Sequence, residues 1–197
     1  MNIDRNVTYQ VGDFSYRNFV VLSDEQKIMI LSWRNHPNIR KWMFNSDEIA
    51  LDSHLSFIKG LENREDCYYW LIFYQGIPVG VYNVIECDHQ SCQGEPGYYL
   101  APEYDGTGIG LDLQRSNGRL FFDILGFERL VAHVQYGNTN AYQMARFCGT
   151  QEDGIVEIKG QKYVAMHIDK DKRQNTPEKH FAREFVRFCK ANPVKWS

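Results

Sequence analysis

Residues 97–122 read GYYLAPEYDGTGIGLDLQRSNGRLFF, an apolar run joined to a helical pattern by a glycine-rich loop. Gly106, Gly108 and Gly110 occupy alternate positions where the helix is expected to begin. Amide groups that converge at a helix start attract anions, because the helix dipole adds to their partial charge. The loop therefore suits a pyrophosphate, with a flexible turn as the alternative. It lacks both the GxGxxG spacing and the P-loop lysine of common nucleotide-binding motifs.

Strand and helix patterns alternate on both sides of this loop. Ser23 with Gln26 three residues later forms a capping-box pattern, which predicts a helix that stops by Pro37. Gln75 and Gly76 separate two apolar runs and predict a hairpin turn. Strands are predicted in 7–22 and at 67–75, 77–87, 95–102 and 129–136, helices at 23–37, 39–45, 51–61, 110–126 and 138–149, and a closing hairpin at 154–168. This alternation predicts an α/β (α+β) chain.

The chain is expected to form one domain over 1–170, followed by a polar linker and a C-terminal amphipathic helix within 171–197. Thr176 is a predicted N-cap, with Pro177 at the first helical position. One stripe of this helix consists of Phe181, Phe185 and Phe188. The stripe predicts packing against the domain, and contact with another subunit is the alternative.

Composition argues against several classes of protein. The net charge is −3 and the basic residues are spread along the chain, so no nucleic-acid surface is expected. No apolar run approaches the roughly 18 residues of a membrane span, and the first residues do not resemble a signal peptide. The chain has five cysteines, an odd number without framework spacing, which favours reduced thiols in a cytoplasm.

One pair of cysteines raises the question of a metal. Cys87 and Cys92 flank Asp88 and His89 in CDHQSCQG. No second ligand pair follows, so a polar hairpin loop is the favoured interpretation and no metal site is predicted.

The ordered set of strand, glycine loop, helix, strand and NTNA before a further helix resembles the GNAT acyltransferase superfamily over residues 8–168. The resemblance implies a mixed, mostly antiparallel sheet in which two neighbouring strands splay apart around acetyl-CoA. It also implies a pyrophosphate on the loop amides, a pantetheine arm along the preceding strand and a contact from the NxxA segment. The implied cofactor-binding residues are Leu100, Ala101, Asp105, Gly106, Thr107, Gly108, Ile109, Gly110 and Asn138.

The sequence departs from this family at two positions. Asp105 stands where Arg or Gln is common, and its carboxylate should weaken pyrophosphate binding. Met144-Ala145 replaces a Leu-Tyr pair whose tyrosine protonates the leaving thiolate in many members. Tyr142, three residues before Ala145, lies on a neighbouring part of the same helical face and is the predicted substitute. Water as the donor, or a packing role for Tyr142, are the alternatives.

Glu95 is the candidate base, because it precedes the implied cofactor strand at a place where related enzymes often carry an acid. A carboxylate can remove the amine proton directly or through water. A solvated hairpin residue is the alternative for Glu95. No cysteine has the paired base that a covalent intermediate needs, so direct attack in a ternary complex is expected.

Residues 31–58, in the run WRNHP…M…HLSFI, are similar to the N-acetyltransferases of pseudaminic acid biosynthesis. That resemblance implies acetylation of the 4-amino group of a UDP-linked dideoxy sugar. Arg34 can bind phosphate oxygens, and His54 can hydrogen-bond or accept a proton. The candidate substrate-binding residues are Arg34, Trp42, Met43, His54 and Tyr98. Purely structural roles remain the alternative for Arg34 and His54.

The sequence therefore predicts an acetyl-CoA-dependent N-acetyltransferase of a small, nucleotide-linked amino sugar. It is compatible with a homo-oligomer. Ribosomal-protein acetyltransferases share the WRN segment, so acetylation of a protein N-terminus is one alternative. The absent Leu-Tyr tyrosine keeps a second alternative open, a non-catalytic regulator that binds acyl-CoA.

Overall fold

A mixed sheet of eight strands forms the frame of the computed structural model, which describes residues 1–173 and 180–196. The strands are β1 (Tyr9–Val11), β2 (Phe14–Asn18), β3 (Tyr68–Tyr74), β4 (Ile77–Asp88), β5 (Gln93–Leu100), β6 (Arg129–Gln135), β7 (Gln151–Ile158) and β8 (Gln161–Asp169). They lie in the order β1-β2-β3-β4-β5-β6-β8-β7. Only β5 and β6 run parallel, and the other neighbours are antiparallel. The α/β prediction is confirmed.

Six α-helices lie in the same described ranges: α1 (Asp24–Asn35), α2 (Pro37–Arg40), α3 (Leu51–Gly60), α4 (Ile109–Gly118), α5 (Thr139–Phe147) and α6 (Phe181–Ala191). The predicted capping box of α1 is confirmed, because Ser23 and Gln26 exchange side-chain and backbone hydrogen bonds. The long helix predicted at 110–126 is α4 followed by a π-helical stretch from Arg119 to Ile124. No helix within 1–173 or 180–196 has the length and apolar character to cross a bilayer.

The helix predicted at 39–45 is wrong beyond Arg40. After α2 the chain turns back along α1 because polar side chains of α1 hold it there. Arg34 Nη2 donates to the carbonyl of Asn45 at 2.6 Å. The Asn35 amide accepts from and donates to the backbone of Ile49 at 2.9 and 2.8 Å. These bonds replace the helical ladder for the segment between α2 and α3.

The two faces of the sheet carry different helices. One face, called the α4 face, packs Tyr16, Trp70, Leu113 and Phe121 in a buried cluster. The opposite face, called the α1 face, is covered by α1 to α3, and its buried cluster contains Phe19, Ile30, Trp33, Leu71 and Val81. Side chains alternate along β5, so Leu100 packs towards the α4 face and Tyr99 towards the α1 face.

The parallel strands β5 and β6 separate after two residue pairs, Gln93–Arg129 and Gly94–Leu130. The Cys92 carbonyl accepts from the chain that enters β6, and the Ala101 N–H donates to Val79 O on the β4 side. Even-numbered residues of β5 therefore direct their backbone groups towards β6. The next of these is Pro96, which has no N–H to donate, so the ladder ends and the strands diverge.

Helix α6 packs on α5 through the predicted phenylalanine stripe. The Phe147 ring lies 5.1, 5.3 and 5.5 Å from those of Phe181, Phe185 and Phe188. The following chain continues along α5, where Trp196 Nε1 donates to Thr139 Oγ1 at 2.8 Å. The predicted N-cap residues Thr176 and Pro177 lie outside the described residues.

Candidate active site

The glycine loop joins β5 to α4 and owes its shape to two residues with positive φ. Gly106 has φ of 73° and Gly108 has φ of 89°, a left-handed region that side chains other than glycine rarely adopt. Gly110 serves a different purpose. A Cβ there would lie 3.4 Å from Leu100 Cδ1, an ordinary van der Waals contact that places the start of α4 beside β5.

Some amide groups of this loop are used within the loop, and others are open. The N–H groups of Asp105 and Thr107 donate to the carbonyls of Pro102 and Tyr104. In the part of the chain that the structure describes, no group accepts from the N–H groups of Gly108, Ile109 and Gly110. These donors stand at the start of α4, where the helix dipole favours negative charge. The arrangement can hold an anion.

Asn138 lies across the splay from this loop. The parallel strands β5 and β6 end at the same edge of the sheet, so the segments that follow them leave side by side. Asn138 is the N-cap of α5, and its Oδ1 accepts from the N–H of Ala141 at 3.2 Å. Capping explains an asparagine here, and its position also puts it at the open end of the splay.

Leu100 and Ala101 differ in what their backbones offer. Leu100 is even-numbered in β5, so its N–H and C=O face the splay. Both backbone groups of Ala101 are occupied: its N–H donates to Val79 O, and its carbonyl accepts from Tyr104, each at 2.9 Å. The free strand edge therefore ends at Leu100.

Glu95 sits in the fork where the two strands part. Its Oε1 accepts the backbone N–H of His133 at 3.1 Å, and both carboxylate oxygens lie 3.0 Å from His133 Nδ1. Only 8% of Glu95 is exposed. The side chain thus replaces the backbone partner that β6 loses when β5 moves away.

Arg34 lies on the α1 face beside Tyr99. Burial lowers the pKa of the Arg34 guanidinium from its usual value, with Tyr99 acting in the opposite direction. Its Nη2 holds Asn45, whereas Nη1 is covered and has no hydrogen-bond partner among residues 1–173 and 180–196. Because a buried donor without a partner is costly, this guanidinium is suited to gain an acceptor.

The segment 41–46 extends from α2 towards the other half of the sheet. The ring of Phe44 lies 5.3 Å from that of Tyr163 on β8. Trp42 is 49% exposed, and Met43 packs partly on the buried cluster of the α1 face. This segment therefore spans the splay on the α1 face and presents apolar side chains there.

Two predicted substrate residues lie apart from this group. His54 on α3 is 5% exposed, and its Nε2 lies 3.0 Å from the carbonyl of Lys27 on α1. It joins two helices rather than facing the splay. Tyr98 stacks on Tyr82 at 5.6 Å and belongs to the α4 face, opposite to Arg34.

Tyr142 projects from α5 towards β7. Its hydroxyl donates to Glu152 Oε1 at 2.5 Å, and the Trp196 ring lies 5.2 Å away. Burial and the Glu152 carboxylate raise the pKa of Tyr142. Strand β8 separates β7 from β6, so this hydroxyl is directed away from the splay. Ala145 packs partly on a buried cluster of Tyr142 with Val134, Val164 and Met166.

Reasoning from the sequence missed Tyr99 and His133. Alternation along β5 was the available signal for Tyr99, because residues 95, 97 and 99 must share a face. His133 belongs to β6, and only the register across the splay brings it to Glu95.

Comparisons with known proteins agree on one family. The family model described as "Acetyltransferase (GNAT) domain" matches residues 17–151. Acetyltransferase PseH of Campylobacter jejuni serotype O:2 is 32% identical over 140 residues, which cover 70% of this chain and 86% of that protein.

Solved structures show the same fold. Campylobacter jejuni N-acetyltransferase PseH superposes with a TM-score of 0.62 at 20% identity, covering 80% of this chain and 98% of the other. Spermidine N-acetyltransferase from Vibrio cholerae, in complex with CoA and spermine, superposes with a TM-score of 0.72 at 20% identity, covering 81% and 97%.

The environment of His54 predicts a pH-dependent stability. Burial lowers the pKa of His54, while the bond to Lys27 O partly opposes this. The folded state therefore binds this proton less readily than the unfolded state, and stability is lost as pH falls below about 6.5, the ordinary pKa of histidine. In His54→Gln the side-chain amide can still donate to the carbonyl of Lys27, but it does not titrate.

Denaturant unfolding of both proteins between pH 5 and pH 8 measures the effect. The difference in unfolding free energy should be constant above about pH 6.5 and should shift in favour of the variant below it. A difference that stays constant down to pH 5 would contradict the buried, neutral histidine.

Proposed function

Since the chain belongs to the GNAT acetyltransferase family, we propose that it transfers acetyl from acetyl-CoA to the amino group of a small, nucleotide-linked amino sugar. One observation carries the proposal. The open splay between β5 and β6 has unpaired loop amides at its mouth and a buried carboxylate at its closed end. An extended thioester and an incoming amine can meet in such a cleft.

The cofactor part of the proposal rests on backbone groups. The unpaired amides of Gly108, Ile109 and Gly110 suit the pyrophosphate, and the free edge of Leu100 suits the amides of the pantetheine arm. Asn138 stands across the splay, where it can contact the same molecule. The Vibrio cholerae structure was determined with CoA, which supports this class of cosubstrate. The Asp105 carboxylate should weaken the site without removing its donors.

The acceptor part rests on the α1 face. Arg34 offers a charged donor, and Trp42 and Met43 offer apolar surface, a combination that suits the phosphates, base and deoxy ring of a nucleotide sugar. The relative named Acetyltransferase PseH supports the amino-sugar assignment, in agreement with the resemblance of residues 31–58. We propose a UDP-linked 4-amino-dideoxy sugar.

The proposed reaction is a direct attack of the amine on the thioester. Glu95, the carboxylate that the sequence predicts for removal of the amine proton, lies at the closed end of the splay. Backbone N–H groups at the splay polarise the carbonyl, a contribution of about 3 kcal/mol. The bond from Tyr142 to Glu152 supports solvent as the proton donor to the thiolate. The five cysteines are free thiols, which is compatible with the proposed cytoplasmic location. Homo-oligomer formation stays a prediction.

Release of CoA thiol in the presence of different acceptors tests the function. The wild-type protein should release thiol from acetyl-CoA with a UDP-4-amino-dideoxy sugar and yield a product heavier by one acetyl group. Release only with a peptide bearing a free N-terminus would indicate a protein acetyltransferase. Acetyl-CoA binding without release with any amine would indicate a regulator.

Arg34→Ala should raise the KM for the acceptor about tenfold or more, because a charged hydrogen bond contributes roughly 1.5–3 kcal/mol. The KM for acetyl-CoA should change little. Arg40→Ala is the matched control, since within the described ranges the one ion pair given for Arg40 on α2 is a long one, 3.9 Å, with Glu48. Acceptor kinetics equal to wild type in a folded Arg34→Ala protein would remove Arg34 from the proposed site.

Tyr142→Phe removes only the hydroxyl that donates to Glu152. With solvent as the donor, kcat should remain within about threefold of wild type, while the melting temperature falls because Glu152 loses a partner. Steady-state kinetics under conditions where chemistry limits the rate measure this. A fall in kcat of roughly 10² or more would instead identify Tyr142 as the acid.

A further inference from the structure

We propose that His133 takes the proton from the acceptor amine, with Glu95 as the residue that positions it. The inference rests on the proposed function and assigns a role to a side chain outside the glycine loop and the 31–58 segment. Three observations carry it: the pairing of His133 with Glu95, the place of His133 in the splay, and the face on which it lies.

The first observation is the pairing of His133 with Glu95. Both oxygens of Glu95 lie 3.0 Å from Nδ1, and Oε1 also accepts the backbone N–H of His133. A carboxylate only accepts, so Nδ1 must carry a proton, and a neutral imidazole then has its lone pair at Nε2. Within the described ranges no group bonds to Nε2. The His133 side chain remains 26% exposed.

The second observation is that this pair occupies the closed end of the splay. The open edge of β5 runs from Leu100 back to Glu95, about 17 Å at the usual rise of a strand. A chain that enters beside the glycine loop and follows this edge brings its inner end to the fork. For the proposed cosubstrate that end is the thioester, so the reacting carbonyl would lie near Nε2.

The third observation is the face of the sheet. His133 shares its side of β6 with Gln135, which is opposite Tyr163 on β8. Phe44 contacts Tyr163, so this is the side that the 41–46 segment spans. Glu95 and Tyr99 are on the same side of β5. Between them Gly97 has no side chain, and the Asn83 amide covers this position, because a Cβ there would lie 3.0 Å from Asn83 Oδ1.

These positions define a balanced reaction. Nε2 takes one proton from the acceptor ammonium and becomes imidazolium. The freed lone pair forms the C–N bond at the acetyl carbon, and the C–S bond breaks with its electron pair on sulfur. The second nitrogen proton passes through water to the thiolate, giving the amide and the thiol of CoA. His133 then returns its proton to solvent.

A second histidine provides a matched control. His167 on β8 has Nδ1 2.8 Å from both oxygens of Asp153, the same kind of pair on the same face of the sheet. It lies one strand further from the splay than His133. A nonspecific effect of removing a histidine–carboxylate pair should therefore appear at both positions, whereas an effect on proton transfer should appear at His133 alone.

His133→Asn is the decisive variant, because its amide can still donate to Glu95 but has no atom at Nε2. At neutral pH its kcat should fall by roughly 10²-fold with acetyl-CoA and the UDP-amino sugar, while the KM for acetyl-CoA stays within about threefold. The loss should shrink as pH rises, because the amine then loses its proton to solvent. His167→Asn should retain wild-type kcat across the same pH range.

Glu95→Gln tests the positioning role. A glutamine amide can donate to Nδ1 and so allow the proton to move to Nε2, where it blocks acceptance. This variant should lose kcat at neutral pH and recover at high pH in the same manner as His133→Asn. Glu95 contacts His133 directly, and on β8 the titratable side chains of Tyr163 and His167 lie two residues to either side of Ala165, the cross-strand partner of His133. The variants Glu95→Gln and His167→Asn measure how far Glu95 and His167 shape the pH profile.

The outcomes separate the two proposals. An active wild type with a His133→Asn kcat within about threefold of it, or with a loss that is equal at all pH values, overturns the role of His133. Equal losses in His133→Asn and His167→Asn overturn it as well. A wild-type protein that releases no thiol with any amine overturns the proposed function itself.

Discussion

The missing N–H of Pro96 is the constraint on which the arrangement of the cleft depends. The groups that β5 directs towards β6 belong to its even-numbered residues, and the second of these, Pro96, is the one residue type that has no N–H to donate. Two residue pairs hold the parallel strands together, and beyond them each strand keeps only its antiparallel neighbour. The backbone of β5 therefore causes a cleft to open in the middle of the sheet.

An open ladder leaves polar groups that the protein must satisfy. At the fork, Glu95 accepts the N–H of His133 with its side chain, and the imidazole supplies the second donor that a buried carboxylate needs. Further along, Leu100 keeps an open edge, and within residues 1–173 and 180–196 the N–H groups of Gly108, Ile109 and Gly110 at the mouth have no acceptor. The same gap thus has a hydrogen-bonded Glu95–His133 pair at its closed end and backbone donors at its open end. The proposed cosubstrate matches this order, because its thioester would lie at the closed end and its pyrophosphate at the open end.

Signals between neighbouring residues made most of the fold predictable from the sequence. Site residues whose contacts are distant in the sequence could not be placed in the same way. The α1 capping box, the Gln75–Gly76 turn and the glycine loop are each decided by neighbouring residues, and the ordered elements sufficed to identify the family correctly. His54 shows the limit, because its partner Lys27 O lies on another helix. Tyr98 and Tyr99 are adjacent and equally aromatic, and only the face assignment of β5 separates them. The roles of the remaining site residues stay predictions.

The backbone groups of the cleft and the side chains of segment 41–46 suit different parts of the proposed reaction. Backbone groups of β5, α4 and the glycine loop offer donors and acceptors that do not depend on side-chain identity, so this part suits a constant cosubstrate. The segment instead contributes side chains, and two contacts hold it over the splay: Arg34 with Asn45, and Phe44 with Tyr163. Arg34 anchors the segment with Nη2, while its Nη1 is buried and has no hydrogen-bond partner among the described residues. The proposed function therefore places selectivity for the acceptor in this segment and the transfer chemistry in the splayed strands.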